Sequence, residues 1–243
     1  MPINLDFVGL NTLVNEPITS STNTIGVLDT QHVIRQALFN GAGSGATAEA
    51  LYNESVSNYA GAEALSVSFW INLSSISRTY RTILQTRNNT ANKDVFYLAF
   101  QNDLLQITLH NSYGSGQQLT WETNITADTF FNKWSHVVIT TEADISSAPK
   151  VYINGVLSAT ATLHPSSVSV SLGNTQKRDI TQIYLFQLNS SSPINTLAGA
   201  LSEFAIYNTS LTEAQIAQIY NGGEYIDLTT LSFNANIKDY WHL

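Results

Sequence analysis

Hydrophobic positions recur at period two over most of this chain. Val67, Phe69 and Ile71 alternate with Ser66, Ser68 and Trp70, which predicts a strand with one buried face. Residues 94–100 and 104–110 flank Gln101-Asn-Asp103 and read as a hairpin. Residues 134–141 predict a further strand. Lys150-Val-Tyr-Ile-Asn-Gly-Val-Leu157 is the sharpest local signal, because Asn154-Gly155 between apolar runs favours a two-residue turn with positive φ at both positions. Residues 168–172, 180–188 and 200–207 continue the pattern, and 237–243 read as a closing strand. About twelve strands separated by turns predict an all-β fold, a two-sheet antiparallel jelly-roll sandwich. One short helix is expected late in the chain. Ser210-Leu-Thr-Glu213 has the spacing of a capping box, Leu211, Ile216, Ile219 and Tyr220 follow at roughly helical spacing, and Gly222-Gly223 ends the run.

Residues 1–35 depart from this pattern. Pro17-Ile-Thr-Ser-Ser-Thr-Asn-Thr24 is a polar, turn-rich stretch between short apolar pieces. The segment is expected to be an N-terminal arm or first strand, with Ile3, Leu5 and Phe7 on one side and able to add to a sheet edge. Residues 36–243 are expected to form the jelly-roll domain.

Composition narrows the function. The 243 residues carry 10 Lys+Arg and 18 Asp+Glu, a net charge of −8, and only 12% are charged. Ser, Thr and Asn fill the polar quota with 75 residues. No basic cluster exists to neutralise phosphates, so a nucleic-acid partner is not expected. No apolar run has the roughly 18 residues of a membrane span. Cysteine is absent, which removes disulfides, thiolate nucleophiles and Cys-ligated metals. The first residues lack the basic and apolar regions of a secretory signal.

Catalytic constellations are not found. Glycoside hydrolysis needs two carboxylates roughly 5–9.5 Å apart. Glu142-Ala-Asp144 begins an E-x-D-x-x-E pattern but lacks its second Glu and reads as a solvated loop; Glu49, Glu54 and Glu63 have no spacing that pairs them. Gly41-Ala-Gly43-Ser-Gly-Ala46 matches a loose dinucleotide fingerprint without the βαβ unit that gives it meaning. The histidines have no metal-ligand spacing, and His136 is expected to be a hydrogen-bonded structural residue. Trp70, Tyr113, Trp121 and Trp241 fall in turns or on what reads as the polar strand face, which makes them candidates for stacking on a sugar ring.

Three segments together resemble the laminin-G-like, concanavalin A-like jelly-roll family. They are Leu65-Ser-Val-Ser-Phe-Trp-Ile71; Trp134-Ser-His-Val-Val-Ile139 with Val151-Tyr-Ile-Asn-Gly-Val156; and residues 197–208 with Leu211-Thr-Glu-Ala-Gln-Ile216 and Tyr220-Asn-Gly-Gly223. The tail from Asn221 to Trp241 is similar to copies in phage structural proteins. The resemblance implies a non-enzymatic virion structural or attachment protein of a phage: a head decoration, fibre or tail component on the particle surface. Its partners would be other virion proteins and further copies of itself. The alternative it implies is a lectin module that recognises a host surface glycan. Calcium is the one cofactor with a case, since Asp94 matches the Asp that opens a strand in calcium-binding relatives. However, Ser202 stands where the family often has an acidic residue, and Ala-Gly-Ser-Gly follows Phe39-Asn-Gly41 in place of an acidic pair, so weak or absent metal dependence is expected.

Overall fold

A computed structural model describes residues 6–8, 37–40, 50–53, 56, 64–75, 80–88, 93–110, 118–165, 167, 180–186 and 197–243. In chain order the first strands are β1 (Asp6–Val8), β2 (Ala37–Asn40), β3 (Ala50–Asn53), β4 (Leu65–Ser75), β5 (Tyr80–Asn88), β6 (Lys93–Gln101) and β7 (Leu104–His110). Then follow β8 (Gln118–Thr126), β9 (Ser135–Thr141), β10 (Lys150–Ile153), β11 (Val156–Thr160) and β12 (Thr162–Leu163). The last are β13 (Gln182–Leu185), β14 (Ala198–Tyr207) and β15 (Ile237–Trp241), with the helix α1 (Glu213–Tyr220) between β14 and β15. An eight-stranded sheet runs β1-β3-β13-β5-β6-β7-β8-β12, and a seven-stranded sheet runs β11-β10-β9-β4-β14-β15 with β2 also on β14. All strand pairs are antiparallel, and the fold is the expected jelly-roll sandwich.

Alternation builds the core. Leu65, Val67, Phe69, Ile71 and Leu73 of β4 are buried in one cluster with residues such as Phe96, Leu98, Phe100 and Ile107 of the other sheet. The opposite parity of β4, Ser66, Ser68 and Trp70, faces outward. That face is roofed by the chain after β14. Ile216 and Ile219 of α1, with Leu211, Leu228, Leu231 and Phe233, pack on Val138, Tyr152, Ala205 and Tyr207 to form a second, smaller core. The serines under this roof are satisfied: Ser66 Oγ donates to the Thr209 carbonyl at 2.7 Å and accepts the Leu211 N–H at 2.9 Å. Burial pushes the Tyr207 phenol up to about 12.

The Asn154-Gly155 turn forms as the sequence predicts, with φ of 51° and 77° between β10 and β11. Asn102 and Asp103 repeat that geometry between β6 and β7, with φ of 48° and 72°. The helix starts two residues later than its sequence signal. Thr212, not Ser210, is the cap; it accepts from the Gln215 N–H, and the Gln215 side chain accepts the Thr212 N–H in return. Ser210 instead donates to Glu142 at 2.9 Å, because Leu211 is drawn into the roof core and places Thr212 at the helix entry. Within the arm, Asp6–Val8 pairs with β3 of its own chain. Residues 168–172, Gly41–Ala46, Glu49, Glu54, Glu63 and Tyr113 lie outside the described residues.

Candidate functional site

Two of the four aromatic candidates prove to be core residues. Along β8, Leu119, Trp121, Thr123 and Ile125 are buried and the residues between them face out, so Trp121 shares the inward parity and joins the sandwich core. Its polar sequence neighbours belong to the other face. Trp241 is also in that core, edge-on to Phe204 at 5.6 Å, with its Nε1 donating to Asp239 Oδ1 at 2.7 Å. Neither ring offers a surface for stacking. Trp70 does face outward, half-buried, with its ring centroid 5.2 Å from His136 and 6.0 Å from Tyr220.

The contact with Tyr220 explains how the roof is seated. Tyr220 ends α1 and stacks on His136 at 5.9 Å and 24°. A Cβ on Gly155 would come within 2.9 Å of Tyr220 Cδ1, so only glycine lets the β10–β11 turn approach this ring. Asn154 adds a second bond, its Oδ1 accepting the His136 N–H at 2.9 Å. The His136 ring is 1% exposed, and its Nδ1 has no hydrogen-bond partner among the described residues. The expectation of a hydrogen-bonded histidine is met by its backbone and not by its ring Nδ1, and the ring stacks on Tyr220. Burial pushes it down to about 3, so it is neutral.

A second cluster adjoins the first. Ser202 of β14 is the register partner of Trp70, and the β14–β4 ladder then shifts between Ser202 and Ala205. Within that irregularity Glu203 takes φ of 49°, the left-handed region that a non-glycine residue adopts only at a cost. The distortion turns the Glu203 side chain outward against β15. Tyr240 Oη donates to Glu203 Oε2. His242 Nδ1 lies 2.7 Å from Glu203 Oε1. The His242 ring meets Tyr240 at 5.9 Å and Tyr225 at 5.6 Å, and Tyr225 is 44% exposed. The Tyr240 phenol is driven up by burial and then by the Glu203 carboxylate, so it is a firm donor. Asp227 adds charge nearby while its own carboxyl is held below the usual range by Thr229, whose Oγ and N–H both donate to it.

The alternation of Lys238, Tyr240 and His242 on the closing strand was the available signal for this cluster. Glu203 had none, because a strand bulge is invisible to period-two counting.

Among the described residues Asp94, the metal candidate of the sequence, faces Arg87 and Gln85. Asp94 Oδ1 accepts from Arg87 Nε at 3.0 Å and Gln85 Nε2 at 2.8 Å, so a guanidinium already supplies its positive partner. No group of three acidic, His or Cys side chains placed to hold a metal ion occurs among the described residues. Glu142 and Asp144 follow β9 in a loop; Glu142 receives Ser210, and Asp144 receives the Ser146 N–H and Oγ, which hold its carboxyl down.

A family model described as the concanavalin A-like lectin/glucanases superfamily (Laminin_G_3) matches residues 43–217. The Botulinum-like toxin eBoNT/J of Enterococcus sp. (strain 3G1_DIV0629) is 28% identical over 165 residues, covering 65% of this chain and 12% of the toxin. The chain thus spans a small part of that relative. Among solved structures, the receptor binding domain of botulinum neurotoxin D superposes with a TM-score of 0.54 at 19% identity, over 79% of this chain and 45% of that one. The SAP-like pentraxin of Limulus polyphemus has a TM-score of 0.54 at 15% identity, over 76% of this chain and 81% of that one. A structure of botulinum neurotoxin type C, whose cell entry depends on interaction with two ganglioside molecules, gives 0.53 at 18% identity, over 78% and 42%. At these identities the likeness is one of fold.

Proposed function

We propose that this chain, which belongs to the concanavalin A-like lectin/glucanases superfamily, is a non-catalytic recognition module that binds a glycan on the outer face of its seven-stranded sheet. The observation that carries the reading is the Glu203 carboxylate, its side chain 12% exposed and held by Tyr240 and His242, with the exposed ring of Tyr225 packed on His242. Sugar recognition needs an apolar ring face for the C–H side of a pyranose and fixed polar groups for its hydroxyls. Tyr225 supplies the first and Glu203 the second. An ionised carboxylate offers about four lone-pair sites, and Tyr240 and His242 use only two, so acceptor capacity remains for hydroxyl donors. The strained backbone and the two bonds fix the carboxylate before any ligand arrives, which limits the ordering cost of binding. The toxin relative and the receptor-binding structures support a recognition role over a catalytic one.

A glycan array with the purified protein tests this. Binding is expected, and Tyr225→Ala should weaken it about tenfold or more while the protein still melts cooperatively. Undiminished binding by Tyr225→Ala places the ligand elsewhere, and no binding to any glycan overturns the reading. Attachment to a phage particle is the narrower proposal. It is supported by the resemblance of the tail from Asn221 to Trp241, and co-purification with particles tests it.

A further inference from the structure

The charges around the candidate site are unequal. Glu203 lies at its centre, and the charge of Asp227 acts on both Tyr240 and His242. Glu224 is exposed beside Tyr225. Against these stand His242, already paired with Glu203, and Lys238, whose Nζ donates to the Ala235 carbonyl at 3.4 Å. Tyr240 and His242 bond the carboxylate, and the Tyr225 ring packs on His242. Aromatic faces and a carboxylate attract an ammonium group together, the first through the ring quadrupole and the second through a charge-assisted hydrogen bond. The same set repels a carboxylate-bearing sugar.

We infer that the Glu203–Tyr240–His242–Tyr225 site selects saccharides bearing a protonated amine over neutral N-acetylated ones, and both over sialylated ones. The inference rests on the glycan-binding reading and gives it a ligand class. In the bound state the sugar ring covers Tyr225, and its ammonium donates to the lone pairs of Glu203 that Tyr240 and His242 leave unused. Specificity is then partly repulsive, with Asp227 and Glu203 excluding anionic sugars.

Calorimetry tests this with chitotetraose, N-acetylchitotetraose, sialyllactose and tetralysine at about pH 5, because the ring oxygens of an amino sugar lower its amine well below the range of a lysine amine. Chitotetraose should bind about tenfold more tightly than its N-acetylated form, and sialyllactose should bind most weakly. Tetralysine, which carries charge without the sugar ring, should bind less tightly than chitotetraose. Glu203→Gln should weaken chitotetraose more than the N-acetylated oligomer and so erase the amine preference. Asp227→Asn, at the surface, should reduce the preference. Equal binding of the amine and N-acetylated forms overturns the charge selection and leaves the glycan reading standing. So does tightest binding of sialyllactose. Tetralysine matching chitotetraose shows that charge alone is read and overturns the selection of a sugar. Failure of all the saccharides overturns both proposals.

Discussion

At the residue scale, two buried titratable groups pull stability in opposite directions as pH falls. Burial pushes the Asp239 carboxyl up from 3.8 to about 6. The native state therefore keeps this proton to higher pH than the unfolded chain. Its contribution is fully present below about pH 4 and is lost as pH rises through about 6. Burial pushes His136 down from 6.5 to about 3, so the native state binds fewer protons than the unfolded chain. Its contribution is present above 6.5 and is lost as pH falls toward 3. Between about pH 4 and 6 the two slopes oppose each other. Asp239→Asn should keep the bond to Trp241 Nε1 through the amide oxygen and remove the buried charge. Urea melts at pH 7.5 should show the variant more stable by about 1–3 kcal/mol. The gap should close below pH 4, exposing a steeper acid loss that belongs to His136. A less stable variant at pH 7.5 would mean that the ionised carboxylate stabilises the fold. None of this was legible in the sequence, where Asp239 is an ordinary acid on a closing strand and His136 an ordinary strand histidine.

At the element scale, turn and cap chemistry read well where one residue type decides the geometry, and poorly where neighbours compete. Asn154-Gly155 was legible because positive φ at two adjacent positions selects these residues. Its second role, as the seat for Tyr220, depends on a contact 65 positions away that no local pattern contains. Changing both residues to Val should therefore do more than strain the turn. It drives a Cβ into Tyr220 and removes the acceptor for the His136 N–H. A loss of roughly 2–4 kcal/mol in urea melts is expected, and a wild-type melt would reject the turn. The helix cap was misplaced because Ser210 and Thr212 both have a Glu or Gln three residues on, and burial of Leu211 decides between them. Thr212→Ala should cost about 1 kcal/mol, and Ser210→Ala, which loses one exposed bond, within about 0.5 kcal/mol. The reverse order would restore the cap to Ser210. Strand parity was legible for β4 and misread for β8 and β15, where a polar flank hid the inward tryptophans Trp121 and Trp241.

At the scale of the whole molecule, the sheets differ in what they expose to change. The seven-stranded sheet carries the candidate site, and its outer face is fixed by α1 and the chain that follows. The eight-stranded sheet ends at β1, whose Asp6, Phe7 and Val8 pair with Tyr52, Leu51 and Ala50 of β3. The sandwich core of the described residues runs between the sheets as a single cluster. By strand order the β1 pairing closes that edge of the sheet. Deleting residues 1–24 should leave one cooperative calorimetric transition, with a small fall in Tm. Glycan affinity should be unchanged, because the Glu203 cluster lies on the other sheet. The truncated chain should associate more readily in light scattering, since β3 becomes an edge with unpaired N–H and C=O groups. Loss of the cooperative transition would place the arm in the core. A truncated chain that stays monomeric at high concentration and keeps its melt would show that β1 protects no edge, leaving contact with neighbouring molecules as the role for which residues 1–24 should be tested.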